Sequence, residues 1–118
     1  MKKKILIVED DTGVLDVLRI ILERAGFQVS VLTRGESILQ DDFEHPDLIL
    51  LDKQLSGVDG LDICRHLKTR AATKHIPIIM TSATPDVARL AIEAQADDFI
   101  EKPFNNTEVV GRIRHFVK

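Results

Sequence analysis

Asp52 stands directly after the apolar run Leu48–Leu51 and before the polar, glycine-terminated stretch Lys53–Gly57. An ionised carboxylate at the mouth of a buried segment is costly unless other groups compensate it. Three more segments end in side chains that could do chemistry. Ile5–Val8 runs into Glu9, Asp10 and Asp11, Ile76–Met80 into Thr81 and Ser82, and a short stretch from Asp98 into Glu101 and Lys102. Carboxylates gathered at one place repel one another, and a hard divalent cation with oxygen ligands, Mg²⁺ above all, would relieve that repulsion. Beside such an ion an ammonium and a hydroxyl could neutralise the oxygens of a transferring phosphoryl group, with Asp52 as the nucleophile. Singly, each residue has a plainer role, since Asp-Asp pairs cap helices and a serine after a strand is often turn chemistry. The argument lies in their arriving together.

They arrive together only if the segments are parallel strands. Ile5–Val8, Leu48–Leu51 and Ile76–Met80 are continuous apolar runs, as expected of central strands covered on both faces. Gln28–Thr33 alternates and suits a position nearer the edge, and a fifth short strand fits Asp98–Glu101. Helices are predicted at Thr12–Ala25, ended by Gly26, then at Gly35–Asp42, Val58–Arg70, Asp86–Gln95 and Thr107–Val117. Asn105 and Glu108 have capping-box spacing. Right-handed crossovers place these helices on both faces of one parallel sheet, an α/β three-layer sandwich over residues 1–118 with no internal domain boundary. In such a sheet ligands bind beyond the carboxyl ends of the strands, where the acids, Ser82 and Lys102 fall.

The remaining composition excludes more than it suggests. A chain of 118 residues, 44% apolar, reads as one globular domain without a bilayer-spanning segment. The start MKKK leads into only four apolar residues, too few for a secretory signal, so a cytoplasmic location is expected. Cys64 is the only cysteine and reads as structural; the four histidines lack zinc-ligand spacing. A net charge of −3 argues weakly against direct nucleic-acid binding. Seven of the nine residues Val14–Leu22 are apolar, an arc wider than the roughly 100° a core-facing helix needs. The first helix is therefore expected to offer a docking surface with Leu15 and Leu22 at its partly exposed edge, deep burial being the rival explanation.

The stretches ILIVEDD (5–11), PDLILLD (46–52) with Gly57, Asp59 and Gly60, IPIIMTSA (76–83) and ADDFIEKPF (96–104) together resemble the receiver domain of two-component response regulators, over essentially the whole chain. The resemblance implies a flavodoxin-like, five-stranded sheet in the order 2-1-3-4-5 with five helices, a topology that a chemotaxis member of this family illustrates. It implies that Asp52 is the phosphoacceptor, that Glu9 and Asp10 are the acidic metal pair, and that the Gln54 backbone carbonyl completes the Mg²⁺ site. It further implies that Ser82 and Lys102 bind phosphoryl oxygens, that Ser82 and Phe99 are switch positions, and that the Lys102–Pro103 bond is cis. The implied partners are a sensor histidine kinase or histidine phosphotransfer protein and a downstream effector, with no direct nucleic-acid or membrane contact. The domain would catalyse only its own phosphotransfer and dephosphorylation. Ser56 departs from the family pattern, standing where proline is usual, as does Gln95 where glycine is common.

Two rivals use related chemistry on related folds. A phosphatase of the haloacid dehalogenase type would want a second acid two residues after the nucleophile, where this chain has Gln54. A flavodoxin-like nucleotide binder would offer a phosphate glycines and hydroxyls in its first loop, where Glu9, Asp10 and Asp11 would repel it. A receiver-like interaction module without chemistry would lack an aspartate or the lysine, and every such position is filled.

Overall fold

A computed structural model describes residues 2–84 and 86–117. The strands are β1 (Lys4–Val8), β2 (Gln28–Leu32), β3 (Leu48–Asp52), β4 (Ile78–Ser82) and β5 (Asp98–Glu101). They alternate with α1 (Thr12–Arg24), α2 (Glu36–Leu39), α3 (Gly60–Lys68), α4 (Val87–Glu93) and α5 (Asn106–Phe116). All pairings are parallel and the sheet order is β2-β1-β3-β4-β5. Every residue of β3 and β4 is buried, whereas β2, at the edge, is nowhere fully buried.

Successive side chains of a strand point to opposite faces, and that alternation divides the core in two. Leu6, Val8, Ile49, Leu51, Ile78 and Met80 pack on one face with Ile63, Cys64 and Leu67 of α3. Ile5, Ile7, Leu48, Leu50 and Ile79 pack on the other with Leu15, Leu18 and Leu22 of α1 and Val109 and Ile113 of α5. Cys64 is fully buried, its Sγ 3.3 Å from the Ala94 carbonyl oxygen, and burial pushes its thiol up to about 11, as suits a structural cysteine. Among the described residues, no helix is long and apolar enough to cross a membrane.

Four expectations need correction. Leu15 and Leu22 are 5% and 0% exposed, not an edge; with Leu18 they form the i, i+3, i+7 stripe that faces the sheet. The exposed apolar residues of α1 are Val17 (56%) and Ile20 (50%), on the opposite side. The fourth strand begins two residues later than its apolar run, because the Ile76 N–H turns back to the Thr73 carbonyl and Pro77 has no N–H to give. Thr81 and Ser82 thereby belong to the strand itself. Helix α2 stops at Leu39, where Asp41 takes a left-handed φ of 58° and the N–H groups of Asp41 and Asp42 close on Ile38 and Ser37 in a Schellman cap. Helix α3 is likewise shorter than expected, since Asp59 caps it by accepting from the Leu61 N–H.

α4 ends in the same kind of cap with Gln95 at φ 67°, a conformation that glycine adopts more easily. Gly60 is needed for space. A Cβ there would collide with the Asp52 carbonyl oxygen and lie 2.8 Å from the Lys53 Cα, both backbone atoms that cannot swing away. Gly60→Ala is expected to lower stability by about 1–3 kcal/mol. Urea unfolding measures this, and an unchanged midpoint would mean that the start of α3 is free to shift off the strand.

Candidate functional site

The carboxyl ends of the parallel neighbours β1, β3, β4 and β5 lie side by side at one edge of the sheet. Glu9 follows β1 and is 2% exposed; its N–H donates to the Leu32 carbonyl at 3.0 Å, which continues the β1–β2 ladder one residue further and aims the side chain inward. Asp52 is the last residue of β3 and is 5% exposed. The backbone N–H of Lys102 donates to the Ser82 carbonyl at 2.8 Å, carrying the β4–β5 ladder past Glu101 and directing the lysine across the sheet end. Its Nζ donates to Glu9 Oε1 at 2.7 Å and lies 3.3 Å from Asp52 Oδ1. The Lys102–Pro103 bond is cis.

Charge is concentrated here in little water. Burial first, then the hydrogen bond and charge of Glu9, push the Asp52 carboxyl up to about 7, against the pull of Lys102 and the Gln54 backbone N–H. Burial lowers the Lys102 ammonium, but its bond to Glu9 and the charge of Asp52 outweigh this and hold its pKa above the ordinary lysine value. Lys102 is thus the counter-ion of the cluster.

Glu9, Asp10 and Asp52 each bring a carboxylate oxygen within 4.8 Å of the others. Mg²⁺ keeps its ligands at about 2.0–2.1 Å, so that opposite ones stand at most about 4.2 Å apart. The all-oxygen donor set therefore fits such an ion after a small closure. Asp10 is half-buried and its Oδ2 accepts from both the N–H (3.0 Å) and the hydroxyl (2.8 Å) of Ser56. Asp11 turns away, capping α1 through bonds from the Gly13 and Val14 N–H groups.

The other expected residues lie on β4, on β5 and in the loop after β3. Gln54 sits in the loop just after β3 with an exposed side chain. Ser82 is buried, its Oγ 2.9 Å from Thr84 Oγ1 and accepting from the Thr84 N–H at 3.0 Å; no hydrogen bond joins it to Asp52 among the described residues. Phe99 is partly buried against the core on the α3 side of the sheet, its carbonyl accepting from Arg112 at 3.0 Å. Beside Lys102 opens an apolar groove of about 660 Å³ whose walls include Val14, Val17, Pro103 and Phe104.

Residues 5–114 match the response regulator receiver domain family. The chain belongs to that family. The DNA-binding response regulator MtrA of Mycobacterium tuberculosis is 40% identical to this receiver over 117 residues, 97% of this chain but 50% of MtrA. The receiver thus spans about half the length of the curated relatives it matches. The signal receiver domain of a signal transduction histidine kinase from Syntrophus aciditrophicus superposes with a TM-score of 0.89 at 30% identity, covering 98% of this chain and 89% of that one. The BeF3-activated receiver domain of DrrB, from Thermotoga maritima, gives a TM-score of 0.86 at 28% identity, covering 99% and 98%. As a receiver the chain is a phosphorylation-dependent signalling switch of the two-component kind.

Two contacts of this receiver escaped the sequence reading. Thr84 holds the Ser82 hydroxyl, and only its position two residues on, as in a serine–threonine turn, hinted at it. Ser56 stood out as a departure from the family pattern, but nothing in the sequence tied it to Asp10, 46 residues away.

Proposed function

We propose that Asp52 receives a phosphoryl group from a phosphohistidine of a sensor kinase or phosphotransfer protein, with Mg²⁺ held by Glu9, Asp10, Asp52 and the Gln54 carbonyl. The observation that carries this reading is the buried Asp52 carboxylate with an ammonium 3.3 Å away and two further acids within ligand distance. An Asp52 oxygen forms the new O–P bond as the N–P bond breaks, and the bonding pair returns to the imidazole nitrogen. The ion, when bound, offsets charge on the phosphoryl oxygens and on the acids. Lys102 moves part of its pairing from the carboxylates to a phosphoryl oxygen. Ser82 gives up Thr84 and turns its hydroxyl toward another such oxygen, which vacates space beside β4 for the Phe99 ring and changes the α4–β5 surface seen by an effector. The apolar groove beside Lys102 is the natural seat for the donor protein, bringing its phosphohistidine to the rim of the site.

Acetyl phosphate tests the chemistry without a partner. With Mg²⁺ the intact mass should rise by one phosphoryl group, and a chelator should prevent it; a mass that never changes with Mg²⁺ present would end this reading.

The ion should also stabilise the fold by mass action, since it binds the native cluster and not the unfolded chain. At 100 times its Kd the gain is about 2.7 kcal/mol, seen as a higher melting temperature. Asp10→Ala should remove that response and raise the melting temperature of the metal-free protein by removing a like charge. An identical Mg²⁺ response in wild type and variant would place the ion elsewhere.

A further inference from the structure

We propose that Ser56 is a positioning residue for the cation site, fixing Asp10 in its ligand orientation by donating both its N–H and its hydroxyl to one carboxylate oxygen. The proposal rests on the Mg²⁺ site described above and assigns to it a residue outside the ligand set.

Asp10 stands among like charges. Glu9 and Asp52 lie close enough to share an ion with it, and Lys102 pairs with those two, not with Asp10. Repulsion alone would swing a half-buried aspartate out toward water. The two donors of Ser56 converge on Oδ2 from the facing loop, at 3.0 and 2.8 Å, and hold it in place. With Oδ2 so engaged, the second oxygen has no protein donor among the described residues and is left to serve the ion. One ligand oxygen from each acid is what the cluster offers. Carboxylates that ligate a metal through one oxygen are commonly fixed by a hydrogen bond at the other, and loss of such a partner costs 10–100-fold in affinity.

The bond also joins two loops, that following β1 and that following β3. Gln54, whose carbonyl is assigned to the same ion, is two residues from Ser56. Behind Ser56 the chain reverses through Gly57 at φ 87°, where a Cβ would stand 2.9 Å from Glu36 Oε1 and 3.1 Å from Arg34 Nη2. An alanine at position 56 would keep only the N–H donor, and a threonine would keep both.

Calorimetric titration with Mg²⁺ alone reads this gradient directly. Ser56→Thr should bind as the wild type does and Ser56→Ala about tenfold more weakly. Circular dichroism on each variant before titration confirms that the fold is retained, and rescue by threonine separates a hydroxyl donor from mere loop filling. Equal affinity in Ser56→Ala would overturn the proposal. So would tighter binding, which would mean that Ser56 competes with the ion for Asp10. If Mg²⁺ is bound by the wild type and lost in Asp10→Ala while Ser56→Ala is unaffected, the role of Ser56 alone falls. If the wild type binds none, the metal site falls with it.

Discussion

Asp52→Ala should take up no phosphoryl group from acetyl phosphate under conditions that label the wild type. Of the three clustered acids, the other two are already committed. Glu9 accepts from Lys102 at 2.7 Å and from the Asp11 N–H at 3.2 Å, and Asp10 accepts twice from Ser56. Asp52 has Lys102 at the longer distance of 3.3 Å, and its carboxyl, pushed up to about 7, is the more basic nucleophile for it. The competing acceptor is Ser82, but that hydroxyl is 1% exposed and paired with Thr84. Ser82→Ala should therefore still be labelled. The label should be lost in neutral hydroxylamine, which cleaves an acyl phosphate and leaves a phosphoserine. With neither Trp nor Tyr in the chain, intact mass spectrometry is the suitable readout. Label that persists in Asp52→Ala would move the acceptor elsewhere and remove the basis for the switch.

What could be read from the sequence follows from how local each feature is. Strands β1 and β3 are apolar on both faces, so their runs announce buried parallel strands whatever surrounds them. The polar residues after those runs then had to share the strand ends, and Glu9, Asp10, Asp52, Ser82 and Lys102 do meet there. The sheet order came from resemblance, because periodicity says which residues face a core and not which strands are neighbours. Burial of Ile76 by a turn instead of a strand, and the left-handed Asp41 that ends α2, depend on where backbone N–H groups find partners. Those partners are decided by the folded chain. α1 misled for a related reason: a wide apolar arc shows that the helix has more apolar surface than the core takes, but not which side the core takes. The Ser56–Asp10 and Ser82–Thr84 bonds lay further out of reach, since a hydroxyl's partner is a matter of distance in space.

The metal-free protein should grow less stable as pH rises from about 4 to about 7, the reverse of ordinary acid denaturation. Asp52 titrates near 3.9 in an unfolded chain and at about 7 in the folded one, so between those values the native state holds the extra proton. Stability rises with pH only where the unfolded state binds more protons, and here it binds fewer, so the slope is negative. The loss runs through the range between the two values and is complete about a unit above 7. Glu36 and Glu44 work in the opposite sense, because Arg34 and Lys4 hold their carboxyls below the usual range and that stability is lost as pH falls. Both pairs are solvent-exposed and screened, which leaves Asp52 to dominate above pH 5. Asp52→Asn keeps the shape and removes the charge, so it should flatten this limb and exceed the wild type in stability at pH 8. The difference between the two curves cancels every group they share. Saturating Mg²⁺ competes with the proton for the same carboxylate and should flatten the wild-type limb too. Lys102→Met should carry the limb to higher pH, since the ammonium is what favours the ionised form. Chelator-treated protein that is as stable at pH 8 as at pH 5.5, with no gain in Asp52→Asn, would show that the buried carboxylate carries no such strain.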